Sequence, residues 1–513
     1  MQAQRGRASA SGCGFAWAQR VHVVGVAGSG LRGMVHILCE RGAQVSGSEM
    51  LESPVLEKFR LRGVKCRVGH AGTNVEQGTN LVLISAAVKP NNPEVTAAQS
   101  RSIPVWKYSE CLGRLMAERN GIAVAGTHGK TTTTAMVTTV LRHAGLDPSY
   151  LIGGEHPELG SSCWGSGEHF VAEACEFDRS FLHLRPRYAI VTNVEEEHLD
   201  YFKSLQEIQK AFAEFVSLLP EDGFLTINRD DPNSSLLSEF CRSRVGTFSL
   251  RPGAADYWAD RITYAATGTR RAGGVGFRLV HQGKESVPVW LQVPGEHNIR
   301  NALAAAAVCH DAGVPLEMIA EGLETFRGVR RRFDVIGDGA VTVVDDYAHH
   351  PTEIRAAMRG ARAAYPGRRL TAVLQPHQHS RLRRFLPEFV TALSGFDRVV
   401  VTEVFRSRDT DEDARNVRAE TLFRHLAADH DDVAYAPTLA DVERHVTRVH
   451  ADGDVFLFLG AGSITEAAKA CARNMGCGQP DVALAKNVKP KPQASARESA
   501  GLVSGAPVVA RSV

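Results

Sequence analysis

The 513-residue chain has no run approaching the ~18 apolar residues of a membrane-spanning helix, so a bilayer-embedded protein is not expected. It also lacks any pairing pattern among its ten cysteines: Cys13, Cys39, Cys66, Cys111, Cys163, Cys175, Cys241, Cys309, Cys471 and Cys477 form no CxxC pair and no zinc-ligand spacing. Several fall in apolar segments, which reads as the reduced thiols of a cytoplasmic protein. An excess of one charge is missing too, since 59 Lys and Arg stand against 57 Asp and Glu, a net +2. No strong field favours nucleic acid or an anionic membrane, so small substrates are the expected partners. The stretch through Arg20 carries Arg5 and Arg7 but no continuous apolar segment of signal-peptide length, and residues 1–20 read as a disordered extension. After Arg473 periodicity disappears into Pro, Lys, Ala, Ser and Gly, so residues 474–513 read as a disordered tail. There is no internal repeat and no heptad, and monomer and homodimer both stay open.

What the chain does have is length and βα alternation. At roughly 100–200 residues per domain it should form about three domains. Strand-like Val21–Val26 runs into a glycine turn and a helix with Leu31, Met34, Ile37 and Leu38 on one face, closed by Gly42. A strand at Leu81–Ser85 and a helix at Tyr108–Glu118 extend this first Rossmann-like domain over residues 21–119. A P-loop-ATPase-like central domain, 120–333, opens with strand Ile122–Ala125, carries strands Phe170–Glu173 and Tyr188–Thr192, includes a β-rich insertion between Val245 and Val293, and closes with helices Ala302–Ala312 and Leu316–Phe326. Beyond the Gly- and Arg-rich connector Gly328–Asp334, alternating strands and helices from Val341 to Leu459, among them a helix Arg381–Leu393, give a second Rossmann-like domain, 334–473. The fold class is therefore α/β, with three consecutive α/β domains.

The strongest chemical signal is Gly126-Thr127-His128-Gly129-Lys130-Thr131-Thr132, set between a strand and a helix. Backbone N–H groups of such a loop, with the helix N-terminus, cradle phosphates, while Lys130 neutralises their charge and the Thr131 hydroxyl reaches Mg²⁺. Position 124 is Val where a general P-loop has its first Gly. The turn Gly28-Ser29-Gly30-Leu31-Arg32-Gly33 fits G-x-G-x-x-G, with Glu49 at the end of the next strand. By itself this predicts a dinucleotide; in a chain with a second nucleotide loop, a UDP-linked sugar would use the same turn for its diphosphate. Glu173 and His198 follow apolar strands and should project beside the phosphate loop, where a carboxylate and an imidazole supply Mg²⁺ ligands. Glu195, Glu196 and Glu197 read as the acidic first turn of a helix.

Taken together with Ser180–Leu184, Gly295–Asn301, Arg331-Arg332-Phe333-Asp334 and Asp345-Asp346-Tyr347-Ala348-His349-His350-Pro351-Thr352-Glu353, these motifs resemble the Mur ligase family from about Val21 to Ala472. The glycine turn with Ser46–Glu49, and the Asp345–Pro351 segment, are similar to the type that adds L-alanine to UDP-N-acetylmuramate. The resemblance implies an ATP- and Mg²⁺-dependent ligase that phosphorylates a lactyl carboxylate and lets an amine displace the phosphate. It implies phosphoryl-transfer roles for Lys130, Glu173, His198, Arg331, Arg332 and Asp346, and Mg²⁺ contacts for Thr131, Glu173 and His198. ATP would meet Gly126, Thr127, His128, Gly129, Thr132, Asn298 and Asn301. The UDP-sugar would meet Gly28, Ser29, Gly30, Glu49 and Ser85, and the amino acid Tyr347, His349 and Arg381. The chain departs from the family pattern in reading Glu173-Ala174-Cys175-Glu176, with Cys for a usual Asp, and Gln378-His379 after Gln375-Pro376-His377. Some relatives carry a carbamylated lysine, and Lys210 lies in that region. The competing readings are a ligase for a preformed tripeptide, an NAD-dependent oxidoreductase and an ATP-gated sensor; an oxidoreductase would leave the Lys130 loop unexplained, and a sensor would not need Lys130, Glu173 and His198 together.

Overall fold

The computed structural model describes residues 18–198, 201–264, 273–407 and 409–478. The two expected extensions fall mostly outside these residues. Where they do not, the chain is ordered: helix Ile464–Asn474 runs into the tail, and Gly478 exchanges two backbone hydrogen bonds of 3.0 Å with Asp338.

Three sheets form three α/β layers. In the first, five parallel strands lie in the order Lys65–Val68, Gln44–Glu49, Arg20–Val24, Leu81–Ile84, Val105–Lys107. Strand order reverses on either side of Arg20–Val24, and a crevice opens beyond the carboxyl ends of the strands at such a switch point. The glycine turn leaves from that end, and Ser85 directly follows the neighbouring strand. Helix Ser29–Glu40 buries Leu31, Met34, Ile37 and Leu38 as their spacing predicts, and Gly42 leaves it at φ +84°. Its other side meets the central sheet, where a Cβ on Gly33 would fall 3.3 Å from Leu151. The Trp164 N–H donates to Glu40 at 2.7 Å and Arg41 lies 4.3 Å above the Trp164 ring, so the first two layers are docked.

The central sheet has ten strands. Asn120–Ala125 lies between Tyr188–Val191 and His169–Glu173, parallel to both, so its carboxyl end is another switch point and carries the phosphate loop. The expected β-rich insertion is the continuation of this sheet: Arg244–Ser249 and Tyr257–Tyr264 add in parallel, then Val275–His281 and Glu285–Leu291 finish it as an antiparallel hairpin. Helices Lys130–His143 and Glu296–Asp311 cover one face, the second through fully buried Ala304, Ala305, Ala306 and Ala307. The third sheet has six strands, five parallel and Asp334–Gly337 antiparallel at one edge. The expected helix Arg381–Leu393 is two helices, His379–Arg384 and Leu386–Leu393. The break is at Phe385, φ −113° and ψ 24°, and Pro387, which has no N–H to continue the first helix, sits in the first turn of the second, where none is needed.

Candidate active site

The phosphate loop is shaped by two glycines that no other residue would replace. Gly126 has φ +133°, and a Cβ there would sit 1.9 Å from the Thr192 hydroxyl; at Gly129, φ +85°, it would sit 2.6 Å from Asn301 Oδ1. The loop is fixed by the chain that follows the neighbouring strand: the Thr127 N–H donates to Asn193 O at 2.9 Å, the His128 N–H to Asn193 Oδ1 at 2.9 Å, and the Thr192 hydroxyl to His128 O at 2.6 Å. Thr131 and Thr132 are buried at the start of the helix.

Lys130 folds back on the loop. Its Nζ donates to Gly126 O, to Thr127 O at 3.0 Å, and to Glu176 at 3.0 and 3.2 Å. Burial alone would lower the Lys130 pKa, yet Glu176 outweighs it and the net shift is upward, so the ammonium is held charged. His198 Nε2 stands 3.6 Å from the same Glu176 carboxylate, and Cys175, Glu176 and His198 each offer a ligand atom within 4.8 Å of the others. Glu176 is 2% exposed and was not among the expected residues. Glu173, which was, turns aside to accept the Gly153 N–H at 2.6 Å, while still adding to the field that raises Lys130.

The glycine turn of the first layer reaches this cluster through Tyr108. A Cβ on Gly30 would lie 3.3 Å from the Tyr108 ring, and the phenol, pushed well up by burial, feels Glu173 and Cys175. Glu49 braces the turn, accepting the Ala27 N–H at 3.1 Å and the Met50 N–H at 3.0 Å. Gly28, Ser29 and Gly30 form the start of the helix, and half-buried Ser85 lies beyond the adjacent strand. Tyr108 is invisible to motif reading because it looks like an ordinary helix-starting aromatic.

On the other side of the phosphate loop lies a cavity of about 460 Å³, roofed by the third layer. It is lined by His128, Gly129, Thr132, Asn298, Asn301, Arg332 and Asp346 among others, and its size suits a small-molecule ligand. Asn298 and Asn301 are buried and joined at 3.3 Å. Asp346 accepts the Phe333 and Ala348 N–H groups, both at 2.7 Å, and burial pushes its pKa up to about 6. Of the two connector arginines, Arg332 faces the cavity, while Arg331 turns away to donate to Gly460 O at 2.7 Å and Gly462 O at 3.1 Å. Both lie over the Tyr347 ring, at 5.0 and 4.6 Å. His349 Nδ1 donates to Tyr347 O at 2.9 Å, and burial drops its pKa to about 4.

The three glutamates expected to open a helix do something else. No helix starts at Glu195; each carboxylate instead takes a partner from the third layer. Glu195 accepts the Thr352 hydroxyl at 2.8 Å, Glu196 accepts Arg384 at 2.8 Å, and Glu197 pairs closely with Arg381, both buried. The rest of the Arg381 guanidinium donates to His377 O at 2.8 Å. His128 sits between Glu195 at 3.5 Å and Glu353 at 3.2 Å. Burial works against its charge, but the two carboxylates prevail and raise its pKa to about 10. Closure of the third layer over the second is thus written in ion pairs.

Three comparisons bear on what this arrangement is. The Mur ligase family, catalytic domain, matches residues 20–120; the Mur ligase middle domain matches 124–309; and the Mur ligase, glutamate ligase domain, matches 331–462. The UDP-N-acetylmuramate–L-alanine ligase of Aquifex aeolicus is 38% identical over 450 residues, 87% of this chain and 96% of that protein. That of Renibacterium salmoninarum is 40% identical over 456 residues, 88% and 95% of the two chains. The chain belongs to the Mur ligase family. Among solved structures, the UDP-N-acetylmuramate-alanine ligase of Thermotoga maritima superimposes with a TM-score of 0.75 at 28% identity, covering 89% of this chain and 99% of that one. A murein peptide ligase of Psychrobacter arcticus, at 23% identity and TM-score 0.66 with coverage of 89% and 99%, shares the fold.

Within this Mur ligase, the departures from the family pattern have visible places. Cys175 stands on the exposed side of the Glu176–His198 group. His379 is buried inside the third layer, its Nδ1 2.7 Å from Val417 O, and Gln378 is buried beside it at φ +69°. Lys210 is exposed on the outer face of helix Leu205–Val216.

The His128 bridge gives a pH prediction. A histidine raised from 6.5 to about 10 contributes stability that is fully present below about pH 6.5 and lost as pH rises toward 10. Glu195, lowered from 4.5 to about 2 against burial by His128 and Thr352, contributes stability that is lost as pH falls below about 4.5. The melting temperature of the protein should therefore decline on both sides of this window, and His128→Gln should flatten the alkaline limb. An unchanged alkaline limb in that variant would remove His128 as its cause.

Proposed function

We propose that this chain is an ATP- and Mg²⁺-dependent ligase that joins L-alanine to the lactyl carboxylate of UDP-N-acetylmuramate, through an acyl-phosphate, in cytoplasmic peptidoglycan precursor synthesis. The observation that carries it is the continuity of three sites: Tyr108 joins the glycine turn to the Lys130 cluster, and the roofed cavity opens on the other side of the phosphate loop. No helix among the described residues is long and apolar enough to cross a membrane. The names of the relatives at 38–40% identity support the substrate pair.

The UDP-sugar diphosphate would lie on the turn at Gly28, Ser29 and Gly30, with Glu49 holding the turn and Ser85 at the opposite lip. This places the lactyl carboxylate toward Lys130. The nucleotide would fill the cavity, its base side against Asn298 and Asn301 and its phosphates against Gly126, Thr127, His128, Gly129 and Thr132. A carboxylate oxygen attacks the terminal phosphorus and ADP leaves; the amine then attacks the carbonyl carbon and phosphate leaves. Lys130, held charged, neutralises phosphoryl charge through both steps, and Arg332 adds to it from the roof. The carboxylates of Glu173 and Glu176 and the Thr131 hydroxyl would supply oxygens to a hard divalent cation, with the His198 imidazole beside them. Mg²⁺, when bound, offsets the phosphate charge. Tyr347, His349 and Arg381 would receive the amino acid; because Arg381 is already shared by Glu197 and His377, the incoming carboxylate binds beside Glu197 or displaces it. The closed roof excludes water from the acyl-phosphate.

Phosphate release should require UDP-N-acetylmuramate, ATP and Mg²⁺ together, and be fastest with L-alanine over glycine, L-serine or the cell-wall tripeptide. Release with the tripeptide alone would reassign the amine substrate, and reduction of NAD without phosphate release would overturn the reading.

A further inference from the structure

The far end of the helix that carries Asn298 and Asn301 holds a side-chain cluster the ligase reaction does not use. His310 lies in the last turn of helix Glu296–Asp311, His281 ends strand Val275–His281 and Glu285 begins strand Glu285–Leu291. Measured along the helix at ~1.5 Å per residue, His310 is about 18 Å from Asn298. His281 and Glu285 are register partners in the hairpin, so their side chains share one face. One ligand atom from each of the three residues lies within 4.8 Å of the others.

Tyr257 sets both rings. It stacks on His281 with centroids 4.5 Å apart and planes at 19°, and its hydroxyl is 2.9 Å from His310 Nδ1. That contact leaves Nε2 of His310 for another partner. The His281 ring meets His310 edge to face at 4.8 Å, and its Nδ1 is 3.3 Å from the Glu285 carboxylate. The Tyr257 contact on Nδ1 orients His310 as metal-binding imidazoles are oriented, by a hydrogen bond on the remaining ring nitrogen, while His281 Nδ1 and the Glu285 carboxylate face each other as two further donors. Asp311, a further acid at this corner, is taken by Arg244 at 2.7 Å. The cluster also sits at the negative end of the helix dipole, which favours a cation.

We propose that His281, Glu285 and His310 bind a Zn²⁺-class divalent cation, at a site separate from the nucleotide cavity, and that the ion staples the outer hairpin of the central sheet to the end of helix Glu296–Asp311. Two imidazoles and a carboxylate with a fourth position open to water are a zinc donor set; Mg²⁺ prefers oxygens alone. The ligands come from three separate elements, so the ion would hold together a hairpin that otherwise has only one strand neighbour.

Full-length protein freed of metal with a chelator and kept in excess Mg²⁺ should take up Zn²⁺ in a calorimetric titration, with one equivalent lost in His281→Gln/His310→Gln. Co²⁺ added to the wild type should give the visible absorption of a tetrahedral site, and Glu285→Gln should weaken it about tenfold or more. Because the cluster is remote from the cavity, phosphate release by these variants should match the wild type, which verifies that they are folded. Equal zinc uptake by wild type and double variant, or no uptake by the wild type, overturns the proposal.

Discussion

Lys130→Ala should reduce phosphate release by about 10²–10³-fold, the usual cost of removing one charge-stabilising group from a preorganised site. It should also destabilise the protein by about 3–5 kcal/mol, because the Glu176 carboxylate is buried and would be left without its cation. Lys130 is therefore not a freely replaceable loop residue, because the Glu176 contact makes it part of the fold. A second change separates the two effects: Lys130→Ala/Glu176→Gln removes the stranded charge and should recover most of the melting temperature, but none of the turnover. A folded double variant that released phosphate at more than about a tenth of the wild-type rate, a difference of only ~1.4 kcal/mol, would take Lys130 out of the reaction.

Glu197→Ala and Arg381→Ala should each cost about 3–5 kcal/mol, since each strands a buried partner across the boundary between the second and third layers. Arg381, with His198 and His349, pulls Glu197 well below the ordinary carboxylate range in spite of its burial, so this contribution is present above about pH 4.5 and fades below it. The double variant should cost far less than the sum, with a coupling of at least ~1.5 kcal/mol. If Arg381 also holds the amino-acid carboxylate, Arg381→Ala should raise the KM for L-alanine well beyond what Glu197→Ala does. Costs that add to within ~0.5 kcal/mol would dissolve the pair, and an L-alanine KM within about twofold of wild type in Arg381→Ala would leave Arg381 a closure residue only.

The parts of this site legible in the sequence are those built locally. Strand, glycine loop and helix are consecutive, so Gly126 to Thr132 could be read from spacing, and so could the apolar face of Leu31, Met34, Ile37 and Leu38. Glu176 lies 46 positions from Lys130 and Glu197 lies 184 from Arg381, and nothing in the neighbourhood of either glutamate points to its partner. A run of three acids has the same local pattern whether it opens a helix or spans a boundary. Tyr108 fails for the same reason. The parallel strands Arg244–Ser249 and Tyr257–Tyr264 resembled an insertion because β-periodicity gives a strand's existence and not its neighbour. Pro387 is a local signal of a helix start, and the second helix begins one residue before it.

The segment from Thr192 to His198 holds the phosphate loop at its beginning and the third layer at its end, with no regular secondary structure between the two tasks. Such a segment acts as a ruler. Its composition could drift while single contacts were lost and others strengthened, but its residue count could not, because one added or deleted position would move every carboxylate off its partner and tilt the roof relative to the floor. Single-residue insertions along these seven positions should therefore lower the melting temperature and phosphate release more than substitutions that remove any one of the contacts.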